Sequence, residues 1–280
     1  MAVAALASGW LSLLQPSRTC PAYRRGACVM LEPTRKAFAP SDFPASWPYT
    51  LDDFSRLDES ADIQFYSSPR FVTHIDDGAI AALTAYYKRE LPEGSDLLDM
   101  CSSWISHLPD DVTYGKVVGV GMNARELEAN PRLTEFVQAD LNRQPQLSFP
   151  DATFDAVLCA VSIDYLVKPL EILREVHRVL RPGGRAIFSF SDRFFPSKAI
   201  KMWLQADDEG RQRITASYFM YAPAGGWTDV TAETLPEAKR VAAPKQEGFL
   251  GALLNLDAAI SSFISRGDPM FVVSAVKATR

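Results

Sequence analysis

The sequence predicts an α/β fold built on a doubly wound, mostly parallel seven-stranded sheet with an antiparallel last strand. The segment Phe154 to Ser189 reads as strand, helix, strand, which is a parallel crossover unit. Earlier apolar runs at 97–100, 116–120 and 136–138 alternate with helical stretches. Alternation of this kind specifies helices on both faces of a parallel sheet, with right-handed connections.

The first forty residues differ in composition from the rest of the chain. Residues 1–30 contain no Asp or Glu, carry three arginines and are rich in Ala, Ser and Leu, which is typical of an organelle transit peptide. We therefore predict a transit peptide or disordered segment over 1–40 and a chloroplast or plastid location, with mitochondrion or cytoplasm as alternatives. A disordered tail without a targeting role is the other interpretation. The apolar stretch 1–14 is too short to span a bilayer, and no other apolar segment of the sequence is long enough for a membrane span.

Prolines at 33, 40, 44 and 48 predict an extended linker or a strap over the domain surface, and 41–75 as a whole is predicted to be linker and lid. The stretch 76–91 begins with acids, repeats apolar residues at helical spacing and stops at Pro92, so it is predicted to be a helix. We predict that residues 76–280 form the main domain and that residues 235–267 are an insertion within it.

The crossover unit is justified residue by residue. The apolar run 157–161 suits a strand buried on both faces, and 169–180 has its apolar residues on one helical face. Pro182 cannot continue that helix, and the glycines at 183–184 permit the turn back into the sheet. Open parallel sheets bind ligands at the carboxyl ends of their strands, so a site is expected just beyond Ser162.

The C-terminal part predicts a helix or two over 194–222, broken near 207–210, then a strand at 227–232 and a final strand at 269–276. The intervening 235–267 has enough apolar residues for a helix packed on the body. A net charge of -5 argues against a nucleic-acid partner and favours a small-molecule substrate. The four cysteines lack metal-ligand spacing, so they are predicted to be free thiols, and no metal site is expected.

Several motifs resemble the class I S-adenosylmethionine-dependent methyltransferases. The resemblance covers about 65–277 and is strongest with the small-molecule group, methyltransferase type 11, which includes quinone-biosynthesis enzymes and plant and algal plastid proteins. The matching stretches are 97–104, 117–123, 138–142, 154–157 and 179–184. The resemblance implies a Rossmann-like methyltransferase fold and S-adenosyl-L-methionine as cofactor. It also implies a set of cofactor-binding residues: Asp99, Met100, Cys101, Ser102, Gly121, Met122, Asn123, Asp140, Leu141, Asn142 and Ala160.

The chain departs from the family pattern at two places. The turn after the first of these strands is Met-Cys-Ser-Ser-Trp instead of alternating glycines, although small Ser102 and Ser103 leave room and are candidates to cap a following helix. Gly121 stands where the family has the acid that holds both ribose hydroxyls, so Asn123 or the backbone would have to substitute. Both departures fall inside well-formed strand-turn-helix patterns, and we expect a divergent cofactor site rather than a lost one.

Few catalytic residues are expected, because a sulfonium already activates the methyl group and the protein mainly aligns the acceptor. The segment 65–76 is expected to fold across the cofactor mouth and to supply two catalytic candidates, Tyr66 and His74, of which His74 is suited to deprotonate a hydroxyl or enol near neutral pH. Alternatively, His74 bonds a backbone carbonyl; Asp76 is expected to cap the next helix.

The substrate candidates are Ser162, Asp164 and Tyr165 after the fourth strand and Arg193 after the fifth. Asp164 either binds a cationic or hydroxylated substrate or caps the helix near Lys168. His107 either touches substrate or fixes a helix predicted over 102–108.

The predicted function is transfer of a methyl group from S-adenosyl-L-methionine to a small organic acceptor. The alternative is a catalytically inactive methyltransferase-like binding or scaffold protein. A nicotinamide-dependent dehydrogenase is disfavoured, because no G-x-G-x-x-G follows either of the first two strands.

Overall fold

A computed structural model describes residues 34–223, 225–236 and 267–279. These residues belong to one compact unit that starts at Glu32. The predicted transit segment up to residue 33 and most of the predicted insertion lie outside the described residues.

The sheet has eight strands in the order β1-β7-β8-β6-β5-β2-β3-β4. Their bounds are β1 Thr34–Ala37, β2 Leu97–Met100, β3 Val117–Gly121, β4 Glu135–Gln138, β5 Phe154–Ala160, β6 Leu180–Phe190, β7 Trp227–Leu235 and β8 Met270–Lys277. Strands β4, β3, β2, β5 and β6 are mutually parallel, whereas β8 runs antiparallel to both β6 and β7. The predicted doubly wound sheet with an antiparallel last strand is confirmed, with one strand more than predicted.

The additional strand is β1, which pairs antiparallel with β7 at the edge of the sheet. It lies within the segment 1–40 that was predicted to be transit peptide or disordered, so residues 34–37 differ from that expectation. The residues after β1 pack on the domain through aromatic side chains. The Trp47 ring stacks 6.1 Å from Phe54 and lies 6.2 Å from Tyr218. The strap predicted from the prolines is therefore ordered by aromatic contacts.

Six helices are present in the described part of the chain: α1 Asp62–Phe65, α2 Asp77–Glu90, α3 Ala124–Ala129, α4 Pro169–Val179, α5 Lys201–Gln205 and α6 Asp208–Tyr221. Helix α2 matches the predicted 76–91, and Asp76 caps it by accepting a hydrogen bond from the amide of Ala79 at 2.9 Å. The predicted break near 207–210 separates α5 from α6, where Asp207 caps the second helix.

The core consists of two clusters, one on each face of the sheet, because successive residues of a strand point to opposite faces. In β5, Val157 and Cys159 join the cluster that includes α4 and α6, while Leu158 joins the cluster under α2. This double burial explains the continuous apolar run that predicted β5. Among the described residues, no helix has the length and apolar character needed to cross a membrane.

Candidate active site

A cavity of about 290 Å³ opens at the carboxyl ends of β2, β3, β4 and β5. Parallel strands end at one edge of a sheet, so residues distant in sequence meet there. The wall contains ten of the predicted cofactor residues: Asp99, Cys101, Ser102, Gly121, Met122, Asn123, Asp140, Leu141, Asn142 and Ala160. Met100, also predicted to bind cofactor, is fully buried and belongs to the apolar core instead.

Asp99 is a nearly buried carboxylate in β2 that borders the cavity. One of its oxygens, Oδ2, accepts hydrogen bonds from the hydroxyls of Ser102 at 2.7 Å and Ser106 at 2.6 Å. Burial raises the pKa of Asp99 to about 6, although the two hydroxyl donors act in the opposite direction. A cationic ligand group at this wall would favour ionisation of Asp99.

The helix predicted over 102–108 was wrong, because residues 101–116 form an irregular connection from β2 to β3. Positive φ angles of 57° at Cys101 and 55° at His107 interrupt any helix. Side chains from the segment after α3 bind backbone oxygens of this connection. Asn130 donates to the oxygen of Ser103 at 2.9 Å, and Arg132 donates to that of Pro109 at 3.0 Å.

Ser102 therefore caps no helix, and its backbone passes across the end of β3. Its amide donates to the oxygen of Val120 at 2.8 Å. A Cβ added at Gly121 would lie only 2.2 Å from the carbonyl oxygen of Ser102, a distance that van der Waals repulsion forbids. The missing acid at position 121 thus has a steric cause, since the irregular turn occupies the space that any side chain there would need.

Asn123 is not free to replace that acid, which overturns one of the two substitutes expected from the sequence. Its Oδ1 accepts from the amides of Arg125 at 3.0 Å and Glu126 at 3.3 Å, which caps α3. Its Nδ2 donates to the carbonyl oxygens of Tyr66 at 2.9 Å and Ser67 at 3.3 Å. The four hydrogen bonds use the full capacity of the amide and fix the segment before α2 against α3.

Asp140 and Asn142 follow β4 and form the next part of the wall. Asp140 Oδ1 accepts from the amides of Asn142 at 3.0 Å and Arg143 at 3.1 Å, and Oδ2 makes no hydrogen bond to any described residue. Asn142 donates to Asp62 at 2.9 Å and to the carbonyl oxygen of Tyr165 at 2.8 Å. The turn after β4 therefore offers one carboxylate oxygen to a ligand and is held in place by two other parts of the site.

The segment predicted to be a lid places both catalytic candidates in the cavity wall. The His74 ring packs edge-on against Phe195, with 5.4 Å between ring centroids. Desolvation, and secondarily Arg70, lowers the pKa of His74, so the imidazole is neutral at pH 7. Burial raises the pKa of Tyr66, so its phenol stays protonated. Within the described residues His74 bonds no backbone carbonyl, and the alternative role considered from sequence has no support there.

Three of the four substrate candidates border the cavity, namely Ser162, Tyr165 and Arg193. The Tyr165 hydroxyl accepts from the amide of Phe195 at 2.9 Å, and Arg193 pairs with Asp268 at 2.8 Å. Asp164 lies outside the wall and is buried, and burial raises its pKa to about 8. Its carboxyl is therefore neutral at pH 7. It does not cap the helix near Lys168 either, since no side-chain cap is present there.

Sequence reasoning missed three wall residues, Asp62, Arg70 and Glu126, whereas His107, considered from sequence as a substrate contact, does border the cavity. Burial lowers the pKa of His107 to about 4. Glu126 is buried, and its Oε1 accepts from the amide of Arg70 at 2.6 Å. The only sequence signal for Glu126 was its place in the first turn of a helix after a ligand-binding strand, where acids are common for capping reasons alone.

An ion-pair network below the lid also went unpredicted. Asp62 pairs with Arg56 at 2.8 Å and with the fully buried Lys198 at 3.3 Å. Lys198 also donates to the carbonyl oxygen of Ser60 at 2.7 Å. Buried charges are retained where they are paired and hydrogen-bonded. The network fixes the start of the lid segment to the connection after β6.

Comparison with known proteins agrees with this geometry. Residues 103–188 match the family model described as a methyltransferase domain. The chain is 26% identical to a demethylmenaquinone methyltransferase of Lysinibacillus sphaericus over 169 residues, and this aligned region covers 54% of this chain and 67% of that protein. It is 40% identical over 82 residues to the ubiquinone/menaquinone biosynthesis C-methyltransferase UbiE of Hahella chejuensis, covering 26% of this chain and 32% of that protein.

The chain is also similar, at lower identity, to solved structures. The [4+2]-cyclase SpnF is 17% identical with a TM-score of 0.49, over 78% of this chain and 91% of that one. A SAM-dependent methyltransferase from Archaeoglobus fulgidus is 14% identical with a TM-score of 0.46, over 71% of this chain and 95% of that one. The fold assignment depends on the strand order rather than on these superpositions.

The strand order, the convergence of the β2 to β5 ends on one cavity and the matched family model agree with one another. The chain is therefore similar, over residues 103–188 and in the architecture of its sheet, to the class I S-adenosylmethionine-dependent methyltransferases.

Proposed function

We propose that the protein transfers a methyl group from S-adenosyl-L-methionine to a small organic acceptor. The observation that carries the proposal is the convergence of Asp99, Asp140 and Ala160, from three different strand ends, on one cavity that the lid segment also borders. The quinone-biosynthesis relatives support a small-molecule acceptor.

The residues in the cavity fit the cofactor, although not in the family's usual way. Asp99 suits the ammonium group of the methionine part, because a cation offsets the cost of ionising a buried carboxyl. Asp140 offers a free carboxylate oxygen beside apolar Leu141. The ribose hydroxyls cannot be bound by a side chain at position 121, because the space there is closed. Glu126, in the helix that follows β3, is the candidate instead, since its Oε2 has no partner among the described residues.

The cofactor supplies a methyl group already activated by its sulfonium, and the protein's part is to orient the acceptor and exclude water. Neutral His74 can accept a proton from an acceptor hydroxyl, and protonated Tyr66 can donate a hydrogen bond. The Asn123 amide holds the lid segment against α3, which closes one side of the cavity.

Calorimetric titration of the purified protein with S-adenosylhomocysteine tests the cofactor site. Micromolar binding that Asp99→Asn weakens supports it; no heat at millimolar ligand refutes it. Turnover is tested by incubation with S-adenosylmethionine and metabolite extracts, with release of S-adenosylhomocysteine as the readout. Binding without release in any extract would instead favour a non-catalytic binding protein.

We further propose a plastid location, supported by the composition of residues 1–30. A fusion of residues 1–40 to a fluorescent protein, expressed in plastid-bearing cells, tests it. Fluorescence in plastids supports the proposal, and fluorescence in mitochondria or throughout the cytoplasm contradicts it.

A further inference from the structure

One side of the cavity is built from aromatic rings. Tyr66, Tyr165 and Phe195 all border the cavity and are named here the aromatic wall. Phe195 lies 6.1 Å from Tyr165 and 5.2 Å from Phe65, which supports the wall from behind. Such a surface suits a flat conjugated ring, because offset and edge-to-face contacts are favourable between aromatic groups.

Arg70 lies among these rings and also borders the cavity. Its guanidinium carbon is 4.4 Å from the ring centroid of Phe65, 5.5 Å from that of Phe195 and 5.8 Å from that of Tyr66. One nitrogen, Nη2, donates to the carbonyl oxygen of Phe65 at 2.9 Å. The other terminal nitrogen, Nη1, is shielded from solvent and has no acceptor anywhere in the described residues.

Two other charged residues of the wall, Arg193 and Asp62, have ion-pair partners. Arg193 has Asp268 at 2.8 Å, and Asp62 has Arg56 at 2.8 Å. Arg70 has no carboxylate within ion-pair distance among the residues the structure describes, since Glu126 contacts only its backbone amide. Nη1 of Arg70 therefore has neither a carboxylate nor another acceptor among the described residues, and an anionic ligand oxygen would satisfy it.

We propose that the methyl acceptor is a flat conjugated ring bearing an anionic oxygen, held with that oxygen on Arg70 and its ring against the aromatic wall. This inference rests on the proposed methyl-transfer function and names the substrate class of the same site. The planar guanidinium, stacked on Phe65, is fixed in orientation and can make paired hydrogen bonds to a carboxylate. His74, which packs on Phe195, lies beside the ring that would be bound there.

The test uses the full chain saturated with S-adenosylhomocysteine and three probes. The probes are 2-naphthoate, its uncharged isostere 2-naphthamide, and octanoate, which is anionic but not aromatic. Fluorescence titration is expected to show 2-naphthoate binding at least about tenfold tighter than either of the others, the order expected for a charge-assisted contact. In Arg70→Gln the naphthoate-to-naphthamide ratio falls to within about twofold, while the exposed control Arg125→Gln keeps the wild-type ratio.

Equal affinity of wild type for naphthoate and naphthamide overturns the proposal, as does a ratio that survives Arg70→Gln. If Arg70→Gln melts at a much lower temperature, Arg70→Lys decides the question. It keeps the charge but not the stacked fork, so the preference for naphthoate must persist with weaker binding. Calorimetry with S-adenosylhomocysteine alone distinguishes failure of this inference from failure of the proposed function. If the protein binds the cofactor product but does not prefer 2-naphthoate, only the inference about the substrate class is rejected. Absence of cofactor binding rejects the proposed function.

Discussion

Substitution of Asp99 by Asn removes the buried carboxyl assigned to the cationic end of the cofactor. Burial raises the pKa of Asp99 from 3.8 to about 6, so about 3 kcal/mol is needed to ionise it relative to an exposed Asp. A ligand ammonium that requires the ionised form therefore binds with an affinity that follows the ionised fraction. That fraction is about one tenth at pH 5 and nearly one at pH 7.5. The affinity of wild type is expected to rise about tenfold across this range.

In Asp99→Asn the affinity is expected to be independent of pH and about 10- to 150-fold lower at pH 7.5, the range for loss of a charged hydrogen bond. Asn retains an oxygen for the hydroxyls of Ser102 and Ser106, so the cavity geometry should survive. Because the pKa of Asp99 is higher in the folded than in the unfolded protein, the free energy of unfolding falls as the pH rises from about 4 to about 6, and the loss persists at higher pH. The ligand-free variant should therefore be at least as stable as wild type at pH 7.5.

The assay is isothermal calorimetry with S-adenosylhomocysteine at about pH 5, 6 and 7.5. His74→Gln serves as the control, because His74 is a second titratable wall residue, whose pKa burial lowers from its ordinary value of 6.5, whereas the pKa of His107 is about 4. A wild-type affinity that does not change with pH, or a slope that disappears in His74→Gln but not in Asp99→Asn, would refute the reasoning about Asp99.

Three further predictions follow from contacts at the site. Gly121→Asp restores the family's acid but places a Cβ 2.2 Å from the oxygen of Ser102, so it should lower stability by about 1–3 kcal/mol and fail to tighten cofactor binding. An unchanged melting temperature would contradict this. Asn123→Ala should lower the free energy of unfolding by about 1 kcal/mol through loss of the α3 cap, and should make the segment around 66–67 more susceptible to proteolysis. Cleavage at the wild-type rate would show that the hydrogen bonds from Asn123 do not hold this segment. In folded wild type, Asp164 keeps its proton up to about pH 8, whereas in the unfolded chain it loses the proton near pH 4. Between about pH 4 and 8 the free energy of unfolding of wild type, measured with urea, should therefore fall by about 1.4 kcal/mol per pH unit relative to Asp164→Asn. A difference that stays constant with pH would mean that the carboxyl is not buried in its neutral form.

Local patterns were sufficient for the centre of the sheet. The apolar run of β5 and the amphipathic helix α4 each carry their signal within about ten residues, and the structure confirms both. The glycines at 183–184, predicted as a turn before the next strand, instead lie inside β6, where its pairing with β5 is irregular. The same kind of reasoning failed at 101–116. There, Asn130 and Arg132 donate to the backbone oxygens of Ser103 and Pro109, and no local pattern in the segment indicates a partner from elsewhere in the chain.

The sequence by itself determined the doubly wound, mostly parallel sheet, its antiparallel last strand and the strand ends at which a ligand site would form, because strand and helix periodicities are local and right-handed crossovers leave few topologies. It also identified ten of the wall residues predicted to bind cofactor. Only the tertiary structure decided why position 121 lacks an acid, that Asn123 is occupied, and that Arg70 has no counterion among the described residues. These facts depend on distances between segments that are not neighbours in sequence, and packing sets such distances when the chain folds.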